Sequence, residues 1–274
     1  MKLKYLPLLL IGFLVISCQE NQPEYTLIRP ETGDRMVIVE EFSGARCPNC
    51  PQGTQELENL NQVYGDRLVI ITIHAGDFAF TYNDSKFDFT TPEGDALLAF
   101  LGNPIGYPSA VINRIKDQSS QSFQLFSTKW GGLISEALTV PPAVAITINQ
   151  MFDTGTRNLV ANVRVVPNET MDTELRLTVL LKEDNIIDPQ ADRADPSGVV
   201  TQYNHRNVLR RVLSDVKGDL IASDPVAFEA VESTYTYLLP EEMGWWKLED
   251  LTLVAFVSAG TGEILQGAQT SIAQ

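Results

Sequence analysis

The chain has 274 residues, 44% of them hydrophobic, and carries 35 acidic side chains against 20 basic ones for a net charge of −15. So acidic a surface repels nucleic acid and anionic lipid headgroups, which excludes charge-driven binding to either. Beyond the leader, no run is long and apolar enough to cross a membrane as a helix.

Residues 1–17 run from Lys2 and Lys4 through an apolar stretch to a small residue before Cys18, the layout of a secretory signal peptide too short to span a bilayer. The ending "LVISC" resembles the lipobox of bacterial lipoproteins. That resemblance implies that Cys18 becomes the first mature residue and carries the lipid, palmitate included, and the Gln19 that follows points to the outer membrane. The anchor, rather than charge, is then what holds the polar part, facing either the periplasm or the cell surface. Residues 18–35 form a polar, proline-containing tether in which "YTLI" could add an edge strand.

The residues "MVIVEEF" (36–42) read as a strand, and "NCPQGTQELENLNQVYG" (49–65) as a helix whose Leu57, Leu60 and Tyr64 recur at helical spacing before Gly65 stops it. "RLVIITIHA" (67–75) is a second strand, so strand, helix and strand imply a right-handed parallel crossover. Thr91 caps a further helix with Pro92 in its first turn and Gly102 at its end. "GYPSAVINR" turns into a strand, and "STKWGGLISEAL" reads as a helix despite two glycines. Residues 36–139 are therefore one α/β domain.

"TVPPA" (139–143) is a stiff break, after which the period changes to two. Segments such as "AVAITINQ", "NLVANVRVV", "TELRLTVLLKED" and "LTLVAFVS" alternate, and "AGTGE" makes a tight turn. "NVLRRVLSDV" fits either period. About seven strands over residues 140–274 point to an all-β, immunoglobulin-like antiparallel sandwich. In "YNHRNVLRR", His205, Arg206, Arg210 and Arg211 read as a solvated strand face, with an anionic ligand as the sharper alternative; Trp245 and Trp246 are split between core and surface.

If Cys18 is lipidated, Cys47 and Cys50 are the cysteines left, in a compartment where disulfides form. Their C-x-x-C supports three readings: a working dithiol, a structural disulfide, or half of a metal site. The unpaired N–H groups of a helix start favour a thiolate and Arg46 adds a charge. A helix terminus supplies about 0.3–1 kcal/mol, however, and one pKa unit takes about 1.4 kcal/mol, so the helix alone cannot make a strongly oxidising thiol. Zinc wants four ligands, and the only histidines, His74 and His205, stand far apart in the chain. Cu(I) could be held by two thiolates, which leaves a copper-binding accessory as a third function. No resident metal or cofactor is otherwise called for.

"VIVEEFSGARCPNC" resembles the thioredoxin superfamily pattern: an apolar strand, an acid and a phenylalanine, four residues, then C-x-x-C opening a helix. "GYPSAVINR" resembles that family's later segment, where a cis-proline enters a strand opposite the dithiol. The resemblance implies Cys47 as nucleophile, Cys50 as resolving thiol, Glu41 as the buried acid that moves the proton, and Pro108 as the cis-proline beside the sulfurs. Four departures stand out. Arg46 replaces the usual tryptophan, Pro51 follows Cys50 directly, and Tyr107 precedes Pro108 and could shield the sulfurs. The hairpin strand expected after "AVINR" is replaced by the polar "DQSSQS". His74 and His205 are lesser candidates for lining the site.

The whole layout is similar to the Gram-negative lipoproteins related to the twenty-eight-kilodalton outer-membrane protein, through the lipobox, "EEFSGARCPNCPQG", "GYPSAVINR", "YNHRNVLRRVL" and "LVAFVSAGTGEILQGAQ". It implies a thioredoxin-like domain followed by a β-rich one. Two functions follow: disulfide exchange with exported or outer-membrane proteins, or a non-enzymatic binding and adhesion role in which the disulfide only braces the first domain.

Overall fold

The computed structural model describes residues 33–273; the leader, Cys18 and most of the tether lie outside the described residues. The elements are β1 (Val37–Ser43), α1 (Cys50–Tyr64), β2 (Leu68–His74), α2 (Pro92–Leu101), β3 (Ser109–Ile112) and α3 (Ser127–Ala137), then β4 (Val144–Asp153), β5 (Asn158–Pro167), β6 (Leu175–Glu183), β7 (Ile186–Ala191), β8 (Val199–His205), β9 (Val208–Val212), β10 (Asp219–Ala222), β11 (Val231–Leu238), β12 (Leu251–Ala259) and β13 (Ile264–Ser271). None of the described helices is long and apolar enough to cross a membrane.

The parallel crossover is present: β1 and β2 pair in parallel over their full length, from Val37 opposite Leu68 to Ser43 opposite His74. α1 opens at Cys50 with Pro51 in its first turn, where a missing N–H removes no helical bond. Thr91 caps α2 by accepting a hydrogen bond from Gly94 N at 2.9 Å. Every residue of β1 and β2 is buried because both faces are covered. Val37, Val39 and Ile70 pack on Leu57 of α1 and on Trp130 and Ile134 of α3. Ile38, Phe42 and Ile71 pack on Leu97 and Leu101 of α2 and on Val254 and Phe256 of β12.

One eight-stranded sheet runs in the order β13-β12-β6-β9-β2-β1-β3, with β10 beside β6. It passes through the Pro141–Pro142 break, since β9 joins β2 through Thr72 and Val208. The sheet curls until its far strand returns to its start: Ile264 N donates to Asn113 O at 2.9 Å, and Met36 N to Gln266 Oε1 at 2.9 Å. A three-stranded sheet, β11-β5-β4, covers the other face of β6 and β12, with Val163, Val179, Leu181, Leu253 and Val257 in the shared core. The ten strands among the described residues after residue 143 make this region β-rich; the extra ones are short and lie in segments without alternating hydrophobicity.

One local reading is resolved, one is corrected in part and one holds. "NVLRRVL" is strand β9, and the solvated face holds for Arg206 and Arg211, which are exposed and pair with Glu58 and Glu93, but not for Arg210, which is buried, paired with Glu183 at 3.1 Å and lying 3.8 Å from the Trp245 ring and 4.5 Å from the Trp246 ring. His205 is buried as well. The residues after β3 return as a single bridge, Ala110 with Leu125, in place of a hairpin strand.

Candidate functional site

Cys47 and Cys50 form a disulfide, S–S 2.09 Å, where β1 hands over to α1. Both residues are 1% exposed. Three segments enclose them. The loop after β2 approaches from one side: Arg46 N donates to Phe78 O at 3.0 Å, and a Cβ on Gly44 would collide with the Phe78 carbonyl, so close an approach needs glycine. Tyr107 and Pro108 come from a second side, joined by a cis peptide bond. The Pro108 ring lies where a side chain on Gly53 of α1 would be, which packs it one turn below Cys50. Tyr107 donates its hydroxyl to Ala75 O at 3.0 Å and its ring meets Phe78 edge-on.

The third segment comes from the second half of the chain. The β7–β8 hairpin is a two-stranded sheet of its own, and its Gln190–Arg193 stretch crosses the dithiol loop. Ala191 N donates to Ala45 O at 2.7 Å and Arg193 N to Pro48 O at 2.9 Å. Gln190 Nε2 donates to Gly44 O at 3.1 Å and Cys47 O at 3.0 Å, and Arg193 Nη1 to Asn49 Oδ1 at 2.9 Å.

Behind Cys50 lies a cavity of ≈10 Å³, lined among others by Thr54, Thr72, His74, Tyr203 and His205, a space of the order of one water molecule. Glu41 sits next to it, fully buried, accepting from Thr72 Oγ1 at 2.9 Å and Thr54 Oγ1 at 3.3 Å. No cation accompanies it among the described residues. Burial pushes its carboxyl up to about 7 against the opposing pull of the two hydroxyls. His74 and His205 meet with ring centroids 5.6 Å apart, and both pack on Phe89. Burial holds His74 well below its usual value and lowers His205 to about 4. His74 Nδ1 and His205 Nε2 are buried without a hydrogen-bond partner among the described residues.

The structure thus gathers Cys47, Cys50, Glu41, Tyr107, Pro108, His74 and His205 in one place. Arg46 stands at the rim, its guanidinium occupied by Thr81 O, at 3.0 Å from Nε and 2.6 Å from Nη2, and stacked on Tyr82. Sequence reasoning missed Thr54, Thr72, Gln190, Arg193 and Tyr203. Two were within reach: Thr54 stands one helical turn after Cys50, and the parallel register places Thr72 directly opposite Glu41. Gln190 and Tyr203 belong to the β7–β8 hairpin, whose tip "DPQADRADPSG" (188–198) is polar and gives no strand signal. No group of three or more His, Cys, Asp or Glu among the described residues is arranged to hold a metal ion.

A β-rich protein with one enclosed disulfide at a helix start is the class these features define. The chain belongs to the Omp28 outer membrane protein family, whose model matches residues 102–274, and it is a protein of the outer membrane. The matched span starts after α2 and leaves out the cysteines. In fold the chain is similar to HBP35 of Porphyromonas gingivalis, with a TM-score of 0.66 at 18% identity over 88% of this chain and 76% of that one. A protein of Agrobacterium tumefaciens aligns with a TM-score of 0.48 at 12% identity, over 85% of this chain and 92% of that one. No curated protein matches the sequence.

Proposed function

We propose that this outer-membrane protein is a lipoprotein anchored through Cys18. Residues 36–139 would be its thioredoxin-like domain and residues 140–274 an immunoglobulin-like sandwich, with Cys47 and Cys50 exchanging disulfides with exported or outer-membrane proteins. The observation that carries this reading is Glu41. A buried carboxyl that keeps its proton to about pH 7, with its two hydroxyl partners lining the cavity that Cys50 also lines, is suited to serve a thiol.

A partner thiolate attacks Cys47 Sγ, the Cys47–Cys50 bond breaks, and Cys50 leaves as a thiolate that takes a proton by way of Glu41. The partner's second thiolate then attacks its own sulfur in the mixed disulfide and releases Cys47. The partner is oxidised by two electrons and the protein ends as a dithiol; the reverse sequence reduces a partner disulfide. In the reducing direction Cys47 attacks a partner disulfide and Cys50 then displaces the partner from the mixed disulfide, so with Cys50→Ser partner adducts on Cys47 should accumulate in the cell envelope. Absence of adducts, with reduced Cys47 alkylating no faster than an ordinary thiol, would sink the proposal.

The burial of both sulfurs favours a second reading, a non-enzymatic binding or adhesion lipoprotein in which the disulfide is a brace. Undiminished partner capture by a Cys47→Ser, Cys50→Ser double variant would support it.

A further inference from the structure

The stretch that crosses the dithiol loop hydrogen-bonds as a strand does. The N–H groups of Ala191 and Arg193 point to Ala45 O and Pro48 O, while Asp192 N, between them, donates the other way, to Gly198 O at 3.0 Å. The strap thus uses alternate amides as an added strand does, although the acceptors Ala45 O and Pro48 O are three residues apart in a turn, and main-chain bonds provide the affinity. The hairpin that delivers it belongs to neither larger sheet, and two-stranded hairpins hold marginally by themselves. Left-handed Asn185 (φ 57°) and Asn207 (φ 53°) flank its base, and the pairing shifts register between Asp188 and Gln190, which divides base from tip. The tip is therefore a unit able to open locally while the base stays packed on Phe89 and Val208.

We propose that the Gly44–Asn49 loop is a peptide-docking edge, held in this structure by the chain's own Gln190–Arg193 strap. An extended, cysteine-bearing segment of the exchange partner takes the strap's place when the disulfide reacts. This rests on the disulfide-exchange reading. The edge offers two carbonyls to alternate N–H groups, so it takes an extended segment with free amides at both positions, and a small side chain where Ala191 lies buried. A partner segment with proline or an N-methyl group at either amide is refused.

The test uses the full chain with Gln190→Ala or, separately, Ala191→Pro, which removes the N–H that meets Ala45 O. Loss of one or two such bonds should speed reduction of the Cys47–Cys50 disulfide by dithiothreitol roughly tenfold. In a second arm, the Cys50→Ser protein carries thionitrobenzoate on Cys47. The thiolate of an extended cysteine peptide displaces it as the coloured anion, leaving the peptide on Cys47. The strap variants should accelerate this step, and N-methylation of the peptide's alternate amides should abolish the gain. Unchanged dithiothreitol rates in both strap variants, or indifference to N-methylation, would overturn the docking edge. Failure of the exchange reading shows elsewhere, as absence of envelope adducts on the Cys50→Ser protein.

Discussion

Glu40 and Glu41 are neighbours on β1, both buried, yet they point to opposite faces and meet opposite surroundings. Glu40 is held by Arg114 through two bonds of 2.7 and 2.9 Å, with the guanidinium lying over the Phe100 and Phe256 rings. Glu41 has two hydroxyls for company, both of which line the cavity behind Cys50, and no cation among the described residues. One face of the strand uses its acid as a structural tie inside the curled sheet. The other leaves its acid uncompensated, and an uncompensated buried carboxyl responds by holding its proton. The difference lies in the partner rather than in depth.

The sharpest way to break that contrast is Arg114→Ala, which leaves the Glu40 carboxylate buried without its cation. It should destabilise the protein by about 3–5 kcal/mol in denaturant melts, and a Glu40→Gln, Arg114→Met pair should recover most of the loss. Glu41→Gln should act through pH instead. The folded protein keeps this proton to about 7, whereas the ordinary value is 4.5. Between those values the folded state binds more protons, so stability falls as pH rises, by about 3 kcal/mol in all, and levels off above. In Glu41→Gln that decline should vanish from stability measured across pH 4.5–8.

His205 supplies a slope of the other sign. The unfolded chain takes up its proton near 6.5, the folded protein only near 4, so this contribution is present above 6.5 and lost as pH falls towards 4. His205→Asn keeps a donor for the backbone carbonyls of Asp188 and Pro189 and should make the acid limb shallower, leaving the part that buried His74 supplies with the same sign. The smallest effect is that of Thr72→Val. Loss of one hydroxyl bond to Glu41 should cost about 1 kcal/mol and raise the carboxyl above its present value, read by carboxyl-carbon NMR titration.

Much of the first half was legible in its sequence. Strand, helix, strand, the Thr91 cap and the glycine ends follow local rules, and the dithiol's neighbours Glu41 and Pro108 stand at readable distances from it. The second half was legible as alternating strands but not as pairing. Nothing in "NVLRRVL" says that β9 joins β2, because partner choice depends on which edges the rest of the sheet leaves open. His205 and Arg210 read as solvated because charge and polarity predict exposure; the structure buries them by supplying an aromatic pocket for the first, and Glu183 with two tryptophans for the second.

The sequence by itself therefore determined the elements of the α/β half and the strand-rich character of the rest, since periodicity, capping and turn preferences act over a few residues. Only the tertiary structure decided that the disulfide is enclosed, that His74 and His205 meet behind it, and that Gln190–Arg193 crosses it. The last two sets of contacts join residues more than a hundred positions apart, and they are fixed by how the sheet curls, a property of the whole chain that no local pattern encodes.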